Sequence, residues 1–458
     1  MKNIHISEQW KNITKISTGT VIGQVISIVT LPVITRLYGA EIIGTWTVIN
    51  SMANIVQNIC DLGLSNSLMV CGEDEIDELH TIVMRITFFL SLLLSFIVFL
   101  YYMYLGEGLK YSLTICFFLA AYAFTLREIN TCYIILNRNK KYDILMKNPM
   151  IRFTGSSIIA ISLGVIGWKS LGYFIGTMMG QILTLLHMKR FLPKIKKVPT
   201  LSCYHATISK YKNFVKYQMP ASIMVTLRTE LPNILIGALF GNTMLGYFSI
   251  SQKLLTIPVT FLGQSLGKLF YQTIASMQRE GKNISYFVNQ NIKRGMLVSF
   301  IPMVILAAFG DVAVKIFFGM DYAIGGMICR IIVYRSLFNF ISSATQGIDI
   351  VLDKQQYVLY TCLLQTILAI LSILVGFYAF SSIYITSFFL VITFIIVQLW
   401  YFCKMYTIMG MRIIEYLKNA IGVLSSLFIV SWMLRGSFFF IVKSLNINFL
   451  NQLLKYFC

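Results

Sequence analysis

Four basic residues lie inside long apolar runs of this sequence, where charged side chains are rare: Arg127, Arg228, Lys253 and Arg335. A cation near the middle of a lipid bilayer costs about 2.5 kcal/mol or more. The chemistry open to such groups is electrostatic, because an ammonium or guanidinium group can replace the water around a phosphate that enters a low-dielectric site. The pattern therefore predicts a binding site for an anionic substrate, with these four residues as its ligands.

Neutralisation inside the protein is the competing interpretation of the same four cations. Arg127 or Arg228 could pair with a carboxylate on a neighbouring helix. Arg228 and Glu230 are two positions apart and point to nearly opposite sides of a helix, so they cannot pair readily with each other. Cations outnumber carboxylates in these runs, and we expect the surplus to be available to an anion.

Other chemistries find little support in the residues. The segment Gly263–Lys268 reads GQSLGK, which is one residue too short for a P-loop and lacks the following Ser or Thr. The nine cysteines are scattered singly, and the four histidines fall at predicted loops or helix ends, where a metal site is hard to assemble. We therefore predict no catalytic residue, no cofactor and no metal site, and we expect a transporter and not an enzyme.

The composition is that of a polytopic all-α membrane protein. Hydrophobic residues make up 57% of the chain, charged residues 12%, and the mean hydropathy is +0.73. A helix needs about 20 apolar residues to cross a bilayer. Twelve runs meet that need, near 13–35, 42–64, 81–105, 111–136, 149–168, 171–191, 217–241, 245–275, 294–318, 326–352, 356–380 and 383–403.

Two weaker candidates follow Lys404, at 419–434 and 436–456, so we expect fourteen helices in all. The predicted parts are an N-terminal six-helix lobe (1–191), a basic cytoplasmic linker (192–216), a C-terminal six-helix lobe (217–403) and a C-terminal extension with helices 13 and 14 (404–458).

The formal net charge of +20 follows from topology, so nucleic acid is not expected as a partner. Lysine and arginine concentrate in alternate loops, in the largest number between 189 and 216, while the opposite loops carry only Arg36, Lys110, Lys169 and Arg435. Because cytoplasmic loops hold the basic excess, the N-terminus is predicted to be cytoplasmic. The linker is expected to lie on anionic lipid headgroups.

The two predicted lobes share a short motif. Tyr38-Gly39 is followed after four residues by Gly44, and Phe240-Gly241 is followed after four residues by Gly246. Six predicted spans separate the copies, which indicates a parallel repeat about an axis along the membrane normal. Each glycine of the motif would allow a sharp turn between closely spaced helices.

These segments resemble the polysaccharide transporter family, the flippases of lipid-linked oligosaccharides in O-antigen and capsule pathways. The similarity is strongest in Leu31–Gly39 with Gly44, and in Leu235–Gly241 with Gly246. The family belongs to the superfamily of multidrug and toxin extrusion (MATE) transporters and lipid II flippases. The resemblance implies two six-helix lobes around a V-shaped cavity that opens alternately to each side of a bacterial cell membrane.

The resemblance also implies the substrate, an undecaprenyl-diphosphate-linked oligosaccharide, and membrane lipids as surroundings, with a polysaccharide polymerase and chain-length proteins as expected partners. The lipid II flippase pattern Ala-Asp-Arg-Leu-x-x-x-Pro is similar to Ser251–Pro258 here, so its functional arginine corresponds to Lys253. Lysine keeps the charge and loses the bidentate fork to phosphate.

Two rival functions remain open at this point. A cation-coupled drug antiporter of the same superfamily should line its cavity with carboxylates and aromatic residues, and the surplus of cations argues against it. A membrane polysaccharide polymerase or ligase should have a long outer loop, which the predicted spans do not leave.

Overall fold

The computed structural model describes residues 2–192 and 201–445, and throughout these residues the chain is helical without a β-strand. The helices are α1 (Lys2–Cys60), α2 (Ile76–Tyr104), α3 (Leu109–Arg138), α4 (Tyr142–Val165), α5 (Lys169–Lys189), α6 (Leu201–Lys210), α7 (Met219–Phe240), α8 (Asn242–Pro258), α9 (Gln264–Arg279), α10 (Ser285–Phe318), α11 (Ala323–Ala344), α12 (Ile348–Val351), α13 (Gln356–Tyr378), α14 (Ile383–Ile408) and α15 (Ile413–Leu445).

Ten helical segments of the described residues are long and apolar enough to cross a membrane. One of them, Thr18–Cys60, has 43 residues, about twice the length that one crossing needs. Many large apolar side chains on these helices are exposed, for example Phe89, Ile301 and Trp432, as expected for surfaces that face lipid. The predicted all-α membrane fold is confirmed, and the count of twelve plus two helices stays a prediction.

The two motif glycines adopt the same unusual backbone conformation. Gly39 has φ 74° and ψ 170° and divides α1 into two segments, while Gly241 has φ 88° and ψ 161° and precedes α8. A side chain is strained at such positive φ values, which explains glycine at both places. The predicted turns between successive helices are confirmed here.

The C-terminal part differs from the prediction. Helix α15 runs without a break through 434–436, where an outer loop at Arg435 had been expected. No proline interrupts this stretch, and a single Gly436 costs only about 1 kcal/mol within a helix. The predicted loop at Arg435 is therefore wrong, and the remainder of the predicted fourteenth helix (446–456) lies outside the described residues.

The chain forms two compact units, Met1–Ile234 and Leu235–Cys458. In the first, small residues bring α4 and α5 together, because a Cβ at Gly176 would lie 2.6 Å from Ala160. In the second, a Cβ at Gly326 of α11 would lie 2.6 Å from the Cα of Asp311 on α10. Such contacts let helix backbones approach closely in a membrane. The four-part division into 1–191, 192–216, 217–403 and 404–458 stays a prediction.

Candidate substrate-binding site

A polar stripe runs along the second half of α1 in the first unit. Its members Ser51, Asn54, Asn58 and Asp61 follow one another at steps of three or four residues, and Asp61 comes directly after the helix. Residues at these steps lie on one face of a helix. In a run that is otherwise apolar, this face needs polar partners.

Helix α7 provides those partners. The amide of Asn58 donates to the hydroxyl of Thr226 at 2.8 Å. The carboxylate of Glu230 accepts from the hydroxyl of Ser51 at 2.6 Å and from the amide of Asn54 at 3.0 Å. Hydrogen bonds thus join the stretch 51–58 of α1 to the stretch 226–230 of α7.

Glu230 has neutral donors around it and no cation. A third donor is Asn233, whose amide nitrogen lies 3.5 Å from the carboxylate. No ion pair involves Glu230 in the part of the chain that the structure describes. Arg228 does not neutralise it, as the two-residue spacing predicts.

A polar cavity of about 370 Å³ opens at the end of this interface, between α1, α3 and the start of α7. Its lining residues are Asn58, Asp61, Gly63, Asn66, Arg127, Asn130, Tyr133, Ile134, Gln218 and Ser222. All of them belong to the first unit.

The cavity contains a buried ion pair. Arg127, predicted to bind the anionic substrate, lies on α3 with only 6% of its surface exposed, and its Nη2 is 3.1 Å from Oδ2 of Asp61. Asp61 also accepts hydrogen bonds from the amide nitrogen of Ser65 at 3.0 Å and from its hydroxyl at 2.9 Å. The pair is neutral overall. Arg127 is therefore neutralised inside the protein, which was the competing interpretation of this cation.

The loop after Asp61 contributes Gly63 and Asn66 to the lining of the cavity. Arg138 holds the loop by donating to the carbonyl of Leu68 at 2.7 Å and to Glu73 at 2.9 Å. Lys210, the last residue of α6, donates to Glu75, and this hydrogen bond raises the pKa of Lys210. At Gly63 a Cβ would lie 2.8 Å from the carbonyl oxygen of Phe214, in the π-helical turn that carries Gln218.

The other three predicted ligands have different surroundings. Arg228 on α7 is half-buried and Lys253 on α8 is exposed, and neither forms an ion pair with any residue in the described ranges. The guanidinium of Arg335 on α11 lies over the ring of Phe394, 4.7 Å from its centroid. The structure therefore brings Arg127 into the polar cavity and leaves Arg228 and Lys253 as the uncompensated cations.

A second buried ion cluster differs from the expectation for the histidines. His80, near the start of α2, is buried with its Nε2 3.2 Å from Glu128. The nearest ligand atoms of His80, Glu128 and Cys132 all lie within 4.8 Å of one another. Such a set could hold a metal, but Lys189 already places its ammonium 3.0 Å from the same carboxylate oxygen of Glu128. The geometry is that of a compensated ion cluster.

The residues that the sequence analysis missed are Asp61 and the amides Asn58, Asn66, Asn130 and Gln218. A signal was present for part of this set, because polar residues recur at helical spacing from Ser51 to Asp61 within an apolar run. Gln218 and Asn66 carry no such signal, since each comes from a turn that tertiary packing brings to the cavity.

The sequence of this chain is similar to those of known proteins. Residues 33–324 match the family described as polysaccharide biosynthesis protein. The chain is 24% identical over 140 residues to the capsular polysaccharide biosynthesis protein CapF of Staphylococcus aureus. That alignment covers 30% of this chain and 35% of the relative.

Solved structures share the fold over nearly the whole chain. The lipid II flippase MurJ in an inward closed conformation superposes with a TM-score of 0.64 at 13% identity, covering 94% of this chain and 92% of that one. A transporter of the same superfamily from Pyrococcus furiosus gives a TM-score of 0.55 at 11% identity, covering 87% and 96%. The eukaryotic MATE transporter AtDTX14 gives 0.54 at 13% identity, covering 93% and 99%.

The sequence match spans more than half of the chain, and the architecture agrees with it. This chain belongs to the polysaccharide biosynthesis protein family and shares its fold with the lipid II flippase MurJ and a MATE transporter.

Proposed function

We propose that this protein translocates undecaprenyl-diphosphate-linked oligosaccharide repeat units across a bacterial cell membrane by alternating access. The observation that carries the proposal is a family membership in polysaccharide biosynthesis combined with uncompensated cations on membrane helices. The similarity in fold to the lipid II flippase MurJ supports a lipid-linked substrate. The protein is then a flippase and not an enzyme.

Arg228 and Lys253 are proposed as the groups that bind the diphosphate. Arg228 lies in a segment long and apolar enough to cross a membrane, Lys253 lies on the shorter helix α8, and both lack an acidic partner among the described residues. A charge in hydrocarbon without a counter-ion is costly, and a diphosphate supplies that counter-ion. Arg335, held over Phe394, and Arg127, held by Asp61, are proposed as substrate-facing groups of secondary importance.

The proposal extends to the setting of the protein. The N-terminus and the basic segment 192–216 would face the cytoplasm, where anionic lipids attract lysine and arginine. The polyprenyl tail would stay in the lipid, and the exported units would reach a polymerase and chain-length proteins.

Replacement of the two cations tests the proposal. Arg228→Ala and Lys253→Ala are each expected to lower surface polysaccharide and to make the lipid-linked precursor accumulate, as measured by immunoblotting and by mass spectrometry of lipid extracts. Lys282→Ala is a matched control, because Lys282 is exposed and its pair with Glu280 is a surface contact of little energetic weight. Normal polysaccharide in both cation variants, with expression equal to wild type, would refute the assignment.

A cation-coupled drug antiporter is the second candidate, and Glu230 favours it. This carboxylate lies on a membrane helix without a cation, which suits a group that binds a proton or a metal cation. Deletion of the gene should then sensitise cells to cationic dyes and leave surface polysaccharide unchanged. The flippase proposal expects the opposite pair of results.

A further inference from the structure

The cavity formed by α1, α3 and the start of α7 has a composition unlike that of a phosphate site. We propose that it is a glycan-binding subsite that accepts a neutral sugar residue of the substrate, separate from the cations that bind the diphosphate. This inference rests on the proposed function for the identity of the substrate, and its own evidence comes from the lining residues.

The charge of the lining is the first argument. Arg127 and Asp61 are the charged residues among those that line the cavity, and they pair at 3.1 Å. A diphosphate entering here would meet the Asp61 carboxylate and would have to compete with it for the single guanidinium. Like charges at close range in a partly buried site repel strongly, so a phosphate is disfavoured. A neutral polar ligand meets no such penalty.

The amide groups are the second argument. Four of the lining side chains, Asn58, Asn66, Asn130 and Gln218, are amides, and each carries both donors and an acceptor. A sugar hydroxyl likewise both donates and accepts, whereas a phosphate only accepts. The groups match a polyol better than an anion.

Much of this hydrogen-bonding capacity is uncommitted. Asn58 is used by Thr226 and by the backbone of α1, and Asn130 donates one hydrogen to Gln57 at 3.1 Å. Within the described residues, the side chains of Asn66 and Gln218 form no hydrogen bond. Asn66, Asn130 and Gln218 are therefore open to a ligand.

The shape and the position of the cavity are the last argument for a sugar ligand. Tyr133 is 38% exposed and lines the cavity, and its ring offers a flat apolar surface for the C–H face of a pyranose. The volume of about 370 Å³ lies within the range of sites for small ligands. The cavity opens at the end of α1 that faces the loop 61–75 and α6, the side predicted to be cytoplasmic, which suits the loading of a glycan made there.

Saturation-transfer NMR on the full-length protein in lipid nanodiscs tests the inference. The probes are the oligosaccharide released from the source strain's lipid-linked precursor by mild acid, which carries no diphosphate, and inorganic diphosphate. Asn130→Ala and Gln218→Ala are each expected to weaken oligosaccharide binding about five-fold, the loss of one hydrogen bond. The double variant should lose more. Gln278→Ala, an exposed amide on α9, is the control.

The two proposals fail in different ways. Arg228→Gln with Lys253→Gln should leave oligosaccharide binding unchanged, since those residues do not line the cavity, and inorganic diphosphate should not displace the sugar. Absence of oligosaccharide binding by the wild type, unchanged binding by the Asn130→Ala and Gln218→Ala double variant, or displacement by diphosphate would each overturn the glycan subsite. None of these results bears on the export of polysaccharide in Arg228→Ala and Lys253→Ala cells.

Discussion

At the scale of single residues, the cations in apolar runs divide into two kinds. Arg127 is buried against Asp61, while Arg228 and Lys253 have no ion pair in the described residues. The first kind is part of the fold, because its removal leaves an opposite charge buried. The second kind is proposed to bind the substrate, since no carboxylate in the described residues pairs with it.

The Asp61–Arg127 pair is expected to stabilise the first unit, because each buried charge neutralises the other. Asp61→Asn keeps the shape of the side chain and leaves the Arg127 guanidinium buried without a counter-charge, which should cost about 3–5 kcal/mol. Fluorescence-detected size-exclusion chromatography after heating measures the resulting fall in melting temperature.

A double variant separates the effect of an unpaired buried charge from the effect of a changed contact geometry. Asp61→Asn combined with Arg127→Gln should recover part of the lost stability, because no unpaired charge remains. Lys282→Ala, which breaks only an exposed pair, should change the melting temperature little. A double variant less stable than Asp61→Asn alone would show that the pair does not act by compensation.

At this scale the sequence predicts which cations lie in apolar runs, but not which carboxylate pairs with each of them. The sequence shows Arg127 as an intramembrane cation, and its substrate-facing role had to be weighed against a neighbouring carboxylate. That carboxylate, Asp61, ends a different helix, and only the packing of α1 against α3 brings the two together. In contrast, the separation of Arg228 from Glu230 follows from helical geometry alone and was predictable.

At the scale of elements, Gly39 and Gly241 mark equivalent turns in the two units. Their φ values of 74° and 88° are strained for any other residue, and no atom lies within 4 Å of a Cβ built at either position. Gly39→Ala and Gly241→Ala should therefore destabilise the protein by about 1–2 kcal/mol through backbone strain alone. Thermal unfolding of the purified protein measures the effect.

Gly436 provides the matched comparison for these glycines. It lies within helix α15, and a Cβ there also meets open space. Gly436→Ala should stabilise the helix slightly, because alanine loses less backbone entropy on folding. A drop in stability for Gly436→Ala equal to that of Gly39→Ala would contradict an origin in the turn conformation.

Helix α15 is attached to α10 by a buried carboxylate. Nη1 and Nη2 of Arg435 contact the two oxygens of Asp311 at 2.8 and 2.7 Å, and Nη1 also donates to the carbonyl of Ala308 at 2.9 Å. Arg435→Ala should loosen α15 and speed tryptic cleavage at the exposed Arg412 that precedes it. Arg435→Lys should be intermediate, because lysine cannot make the bidentate contact. Equal cleavage rates in both variants and wild type would argue against this attachment.

Element boundaries were predictable where apolar runs meet glycine or proline, and less so elsewhere. The turns at Gly39 and Gly241 follow from the repeated motif. The continuity of α15 does not follow from the sequence. Arg435 beside Gly436 is typical of a loop, and only the structure shows that Asp311 neutralises the arginine within a helix. An intramembrane arginine thus misled the topology because its partner lies on another helix.

At the scale of the whole molecule, the distribution of basic residues predicts the orientation in the membrane. The loop between α3 and α4 carries Lys140 and Lys141, and seven more lysines lie between 189 and 216. The turn between α4 and α5, around Gly167, carries only Lys169 beside it. By the positive-inside rule the first loop is predicted to be cytoplasmic and the second to face outward.

Reporters inserted into these two loops of the full-length chain test that orientation. Both sites are exposed, so insertion should be tolerated. Green fluorescent protein should fluoresce after Lys140, and alkaline phosphatase, which needs an oxidising compartment, should be active after Gly167 and inactive after Lys140. The reverse pattern would place the polar cavity of the first unit on the outer side. Glycan made in the cytoplasm could not then load into that cavity from the side where it opens, so the orientation result also bears on the glycan subsite.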